Sequence, residues 1–228
     1  MNSAPDGEPG IRVFPVGLVL RGLPCLVVGG GAVAARKIGA LLDAGAAVTV
    51  VAPEAHEAVA ALAADGSLGR IDDHPLDLQL RPYRAGEAAG YRLVLTATGD
   101  PAVDGAVHAD ATAAGVFVNS ADDTDHCSAL LPAVHRDGPV TVAVATGGAS
   151  PALASWLRDR LAGLLGPRLG ELAALLAEGR QTLRDQGRST SDVDWRGLLD
   201  GPLPDLVAAG RISEARQLMG ETINSPLQ

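Results

Sequence analysis

Apolar and polar positions along this chain follow two rhythms. Residues 23–28, 47–51, 92–96 and 116–119 are short, nearly unbroken apolar runs bounded by glycine or polar turns. Such runs suit strands buried on both faces of a parallel sheet. Between them lie alanine-rich stretches with helical spacing, at 33–44, 55–64 and 101–114. Gly45, Gly66 and Gly115 follow these stretches, where a helix end tolerates left-handed backbone. Strand and helix in alternation predict right-handed crossovers and a Rossmann-type parallel sheet. Residues 69–71 and 78–80 read as edge strands. Residues 14–20 read as a further strand, turned by Arg21 and Gly22 into 23–28.

After Asn119 the rhythm changes. An acidic loop leads to an apolar run at 128–134, a turn at Arg136-Asp137-Gly138 and a second run at 139–145, which predicts an antiparallel hairpin. Ser150 as N-cap and Pro151 at the first helical position then open a helix over 152–165. It carries Leu153, Trp156, Leu157, Leu161 and Leu164 near one stripe. A longer helix over 169–186 has Leu172, Leu175, Leu176 and Leu183 as its apolar side, and shorter helical pieces follow at 195–199, 203–209 and 213–221. The expected organisation is a disordered leader at 1–10, a Rossmann domain at 11–119, a central region at 120–150 and a helical domain at 151–228. The fold class is α/β with a C-terminal all-helical third.

Composition narrows the function. At 228 residues and 47% hydrophobic, the chain can bury a substantial core without staples. Two cysteines, Cys25 and Cys127, make no disulfide framework, which favours a reducing, cytoplasmic setting. Neither a secretion signal nor a long uncharged apolar span is recognised, so no membrane is expected. A net charge of −9 argues against nucleic acid as partner. Lys37 is the one lysine in the chain; every other cationic side chain at neutral pH is an arginine.

The chemistry starts at Gly29-Gly30-Gly31-Ala32-Val33-Ala34, between the first apolar run and its helix. Gly29-x-Gly31-x-x-Ala34 fits the dinucleotide fingerprint: one glycine for the tight turn, one for close approach of a pyrophosphate, one small residue for helix–strand packing. The alternative is a plain glycine turn. Glu54 lies near the end of the second strand, where an acidic residue binds the ribose hydroxyl, and 50–54 holds no arginine for a 2′-phosphate, so NAD is expected. Arg36 and Lys37, one turn into the helix, face phosphate, substrate or solvent. Thr146, Gly147, Gly148 and Ser150 form a second glycine turn at a helix start, an anion seat or an ordinary cap. Asp122, Asp123, Asp125, His126 and Cys127 match no closed zinc spacing. His126 reads as a solvated loop residue, and His56, His74, His108 and His135 as surface.

The runs VVGGGAVAARK, LTATGD, FVNSADD and TGGASPALA occur in an order that resembles the dehydrogenase module of siroheme synthases. That family comprises precorrin-2 dehydrogenases, some of which are also sirohydrochlorin ferrochelatases. The resemblance implies a homodimer with a Rossmann domain, a central dimerisation hairpin and a helical domain. It implies NAD-dependent oxidation of the tetrapyrrole precorrin-2 to sirohydrochlorin, with Fe²⁺ insertion following in bifunctional members. With no methyltransferase-sized domain following, the chain resembles the stand-alone form. Cofactor contacts are implied at Gly29, Gly30, Gly31, Ala32 and Val33, at Pro53 and Glu54, and at Thr98 and Gly99. The family's catalytic aspartate, which also handles metal transiently, falls on Asp122; on position alone Asp122 reads as an Asx-turn residue, and it is the resemblance that favours the catalytic role. Substrate-side positions fall on Asn119, Thr146, Gly147, Gly148 and Ser150. The chain departs from the family pattern at Gly99, commonly acidic or amide, and at Ala129, often aromatic. The competing readings are a non-catalytic NAD-binding regulatory module and a chelatase without dehydrogenase activity.

Overall fold

A computed structural model describes residues 10–64, 76–121 and 123–224. They form two compact units, one from the described residues up to Leu131 with Gly147–Ala149, the other from Pro132–Thr146 with the described residues from Ser150 onward. The expected edge strand at 69–71, His74 and Asp122 lie outside the described residues.

In the first unit, β1 (Pro24–Val28), β2 (Ala47–Ala52), β3 (Asp77–Leu80), β4 (Leu93–Thr96) and β5 (Phe117–Ser120) form one sheet in the order β3-β2-β1-β4-β5. Every pairing is parallel. Alternate residues of β1 feed two layers, as the two-residue period of a strand requires. Cys25 and Val27 pack with Ile38 of α1 (Ala32–Asp43) and Val59 of α2 (Glu57–Ala64). Leu26 and Val28 pack with Val107 and Ala111 of α3 (Pro101–Ala113). Helices therefore cover both faces, which is why the central strands read as unbroken apolar runs. The buried stripe of α1, Ala34, Ile38, Leu41 and Leu42, has the expected helical spacing.

Residues 14–20 form no strand, contrary to the sequence pattern. Phe14 is 88% and Val19 82% exposed. The reason is topological: β1 is already bonded to β2 on one side and β4 on the other, so no edge is left for a hairpin partner. Only Leu20 of this segment enters the core.

In the second unit, β6 (Ala133–Asp137) and β7 (Val140–Val144) pair antiparallel around a two-residue turn at Gly138 and Pro139. The first hairpin strand begins later than 128. Ser128 and Ala129 donate their N–H groups back to the Val118 carbonyl, and Pro132 has no N–H to give. The hairpin packs against α4 (Pro151–Leu165). The expected apolar stripe of α4 is not its buried face: Ala154 is buried, while Trp156 is 55% and Leu164 79% exposed. The remaining helices, α5 (Leu169–Asp185), α6 (Trp195–Asp200), α7 (Leu203–Ala208) and α8 (Ile212–Asn224), close a separate core around Leu175, Leu183, Leu203 and Met219.

Candidate active site

The sheet order reverses between β1 and β4, which makes their carboxyl ends the topological switch point where open α/β sheets bind ligands. The three glycines there do different work. Gly29 has φ +118°, and a Cβ on it would stand 2.3 Å from the Ala97 carbonyl oxygen. A Cβ on Gly30 would stand 2.1 Å from the Glu54 carbonyl oxygen, and the Gly30 carbonyl accepts from His56 N at 2.8 Å. These two let the turn nest between β2 and β4. Gly31 has open space where its Cβ would be. It is the N-cap of α1 and makes no side-chain cap bond.

Gly31, Ala32 and Val33 are exposed, so the start of a 12-residue helix presents backbone N–H groups and its positive dipole end to an unobstructed surface. Ala34, 0% exposed, gives the close helix–strand packing that the fingerprint requires. Pro53 and Glu54 are exposed at the end of β2. This arrangement fits a dinucleotide diphosphate.

At the end of β4, the Thr98 hydroxyl donates to Asp104 Oδ1 at 2.8 Å and accepts from Asp100 N at 3.0 Å. Thr96, fully buried, also donates to Asp104. Gly99 is exposed with φ +73°. Glycine adopts that left-handed backbone without a steric cost.

The end of β5 carries a set of contacts that the sequence did not indicate. Lys37 Nζ donates to Asn119 Oδ1 at 2.5 Å, and Asn119 Nδ2 donates to the Ala129 carbonyl at 3.0 Å. Asn119 is 6% exposed. Cys127 Sγ accepts from Ser120 N at 3.1 Å and faces the Asp123 carbonyl at 3.2 Å. Burial pushes the Cys127 thiol up, against the opposing effects of the Ser120 amide and the Lys37 charge. Of the two basic residues early in α1, Arg36 is exposed and Lys37 points to β5. The sole lysine of an arginine-rich chain was the available signal.

Asp123 caps a 3-10 turn at Thr124–His126 and holds His126 Nδ1 at 2.5 Å. The hydrogen bond and charge of Asp123 raise the His126 pKa, and that bond lowers Asp123 in turn. His108, expected on the surface, is half-buried: its Nδ1 has no partner among the described residues, and its ring meets His126 edge-on with centroids 5.0 Å apart. Among the described residues no three His, Cys, Asp or Glu side chains converge as a metal site.

In the second glycine turn, Gly147 and Gly148 pack in the first unit. The Gly147 carbonyl accepts from Ile11 N at 2.8 Å, and a Cβ on Gly148 would stand 2.7 Å from Thr124 Cγ2. Thr146 Oγ1 accepts from Ser150 N at 3.1 Å, and Ser150 caps α4 by accepting from Leu153 N.

A family model described as "Putative NAD(P)-binding" matches residues 16–133, more than half of the chain. The chain belongs to this NAD(P)-binding family. A second model, described as "Sirohaem biosynthesis protein central", matches residues 137–164 of this family member. The siroheme synthase of Methylococcus capsulatus is 42% identical over 215 residues, 93% of this chain and 44% of that protein. That of Chromobacterium violaceum is 39% identical over 218 residues, again 93% of this chain and 44% of the relative. The chain thus spans less than half the length of these relatives. A solved structure described as "SirC, precorrin-2 dehydrogenase" matches with a TM-score of 0.69 at 26% identity, covering 92% of this chain and 100% of that one. The resemblance read from the motifs is borne out, and with it the parallel sheet, separate hairpin and helical C-terminal region. Among the described residues no helix is long and apolar enough to cross a membrane.

Proposed function

We propose that this chain oxidises precorrin-2 to sirohydrochlorin with NAD, in siroheme synthesis in the cytoplasm. The observation that carries the reading is the open start of α1 at Gly31, which has no side-chain cap, in a chain of which a solved precorrin-2 dehydrogenase structure covers 92%. Bound NAD supplies the hydride acceptor, and the protein supplies orientation and a base for the accompanying proton. The backbone N–H groups at Gly31, Ala32 and Val33 hold the diphosphate. Pro53 and Glu54 would hold the adenosine ribose, and Glu54 would select NAD over NADP by accepting from a ribose hydroxyl. Thr98 and Gly99 border the nicotinamide side, where the Asp104 bond keeps the Thr98 hydroxyl in one orientation.

Asp122 is the proposed base and the transient holder of Fe²⁺ where iron insertion follows. Asn119 stands three residues before it. Thr146, Gly147, Gly148 and Ser150 are the proposed substrate-side residues, their amides suited to the carboxylates of a tetrapyrrole. The chain is proposed to work as a homodimer, on the strength of the uncovered apolar face of α4.

The test is anaerobic absorbance spectroscopy with precorrin-2 and NAD, followed by addition of Fe²⁺. Sirohydrochlorin formation that needs NAD and is lost in Asp122→Ala supports the assignment. NAD binding without turnover would select the regulatory-module reading. Iron insertion into added sirohydrochlorin without NAD, and with no oxidation of precorrin-2, would select a chelatase.

A further inference from the structure

The contacts between α1 and the end of β5 link two parts of the site that are 82 residues apart in sequence. Lys37 stands in the second turn of the helix whose first turn is assigned to the cofactor, and its ammonium reaches Asn119 Oδ1 at 2.5 Å. The other end of that buried amide is also engaged, with Nδ2 donating to the Ala129 carbonyl at 3.0 Å and to Cys127 Sγ at 3.5 Å. Ser128 closes the set: its N–H donates to the Val118 carbonyl, and its Oγ accepts from Val118 N at 2.9 Å. Residues 119 and 127–129 are therefore tied together at the base of one loop.

An amide that faces an ammonium on one side and a carbonyl on the other has a single satisfactory orientation. A half-buried ammonium on a helix that packs its neighbour Ile38 into the core is expensive to keep unless a partner uses it. We propose that Lys37 and Asn119 are a positioning pair, which sets the loop leaving β5 in register with the cofactor-seating helix. This inference rests on the reaction proposed above, because that loop carries the proposed base.

The test follows the loop directly through Cys127, whose thiol belongs to the set, whereas Cys25 is fully buried and silent. In the full chain without cofactor, Lys37→Met is expected to speed Cys127 modification by a disulfide reagent about tenfold, as local opening becomes easier. Lys37→Arg, which keeps a charged donor, should return the rate most of the way to the parental one. With NAD and precorrin-2, kcat should fall about tenfold in Lys37→Met, while KM and the Kd for NAD stay within about twofold.

Unchanged Cys127 labelling overturns the proposal. So does a joint loss of NAD affinity and kcat, which would place Lys37 on the cofactor. If Lys37→Met does not fold, Asn119→Ala removes the acceptor for the ammonium together with both Nδ2 bonds; labelling at the parental rate would then overturn the pair. A parental chain that fails to oxidise precorrin-2 defeats the proposed reaction, and the labelling rates alone then decide the pair.

Discussion

A Cβ on Gly29 would stand 2.3 Å from the carbonyl oxygen of Ala97, inside any possible van der Waals contact, whereas the same atom on Gly31 would meet nothing within 4 Å. The two glycines of one motif are therefore separable by experiment. Gly29→Ala combines a backbone clash with a residue at φ +118°, and should cost at least about 2 kcal/mol of stability. Gly31→Ala should stay within about 1 kcal/mol of the parent: alanine caps a helix less well than glycine, but the backbone at Gly31 is extended and the methyl has open space. The added methyl stands instead where a diphosphate must approach, so NAD affinity should fall about tenfold or more. Thermal melts and calorimetric titration with NAD distinguish the two effects.

The Asp123–His126 pair has a defined pH window. The His126 pKa is raised in the folded chain, so its contribution is complete below the ordinary histidine value near 6.5 and is lost as pH rises through the raised value. The Asp123 pKa is lowered, so its contribution is present above the ordinary aspartate value and is lost as pH falls through the lowered one. Between these limits both partners are charged and the pair is intact. Asp123→Asn should return the His126 titration, followed by NMR of its ring protons, toward the ordinary value. A titration that does not move would show that another group sets it.

Cys25 and Cys127 should differ in reactivity. Burial pushes the Cys25 thiol up to about 11, and the side chain has no exposed surface. Mass spectrometry after alkylation of the native chain at mildly alkaline pH should find label on Cys127 alone. Both thiols should react once the chain is unfolded.

Leu183 is fully buried in the core of the helical unit. Leu183→Ala should therefore cost about 2–5 kcal/mol through lost burial and the cavity left behind. NAD binding, assigned to the other unit, should persist under conditions where the helical unit still folds. Denaturant unfolding alongside an NAD titration provides the comparison.

The exposed face of α4 tests the proposed dimer. Replacing Trp156 or Leu164 by Asp puts a charge on surface that self-association would desolvate, at a cost beyond what a surface pair returns. Sedimentation should show the parental chain as a dimer and each variant shifted to monomer, with the far-UV spectrum unchanged.

The cofactor turn was legible because its requirements are local. Gly29, Gly31 and Ala34 lie within six residues: Gly29 and Ala34 meet steric demands of the strand–turn–helix unit, and Gly31 leaves the start of the helix open. The pair at the end of β5 was not legible, because nothing in the spacing of Lys37 and Asn119 says that α1 and β5 are brought together. The Phe14–Leu20 run misled for a similar reason: its residues suit a strand, but β1 has no free edge. In α4 the leucine spacing was read correctly as a helix and wrongly as a buried stripe, since periodicity marks an apolar face without saying what covers it.

The sequence by itself determined the elements and the chemistry of the turn between the first strand and helix, because strand period, helix period and glycine sterics act over a few residues. Only the tertiary structure decided which strand edges were free, which face of α4 was covered and where the one lysine found its partner. Those outcomes depend on the order in which parallel strands assemble, a property of the whole sheet that no short stretch of it carries.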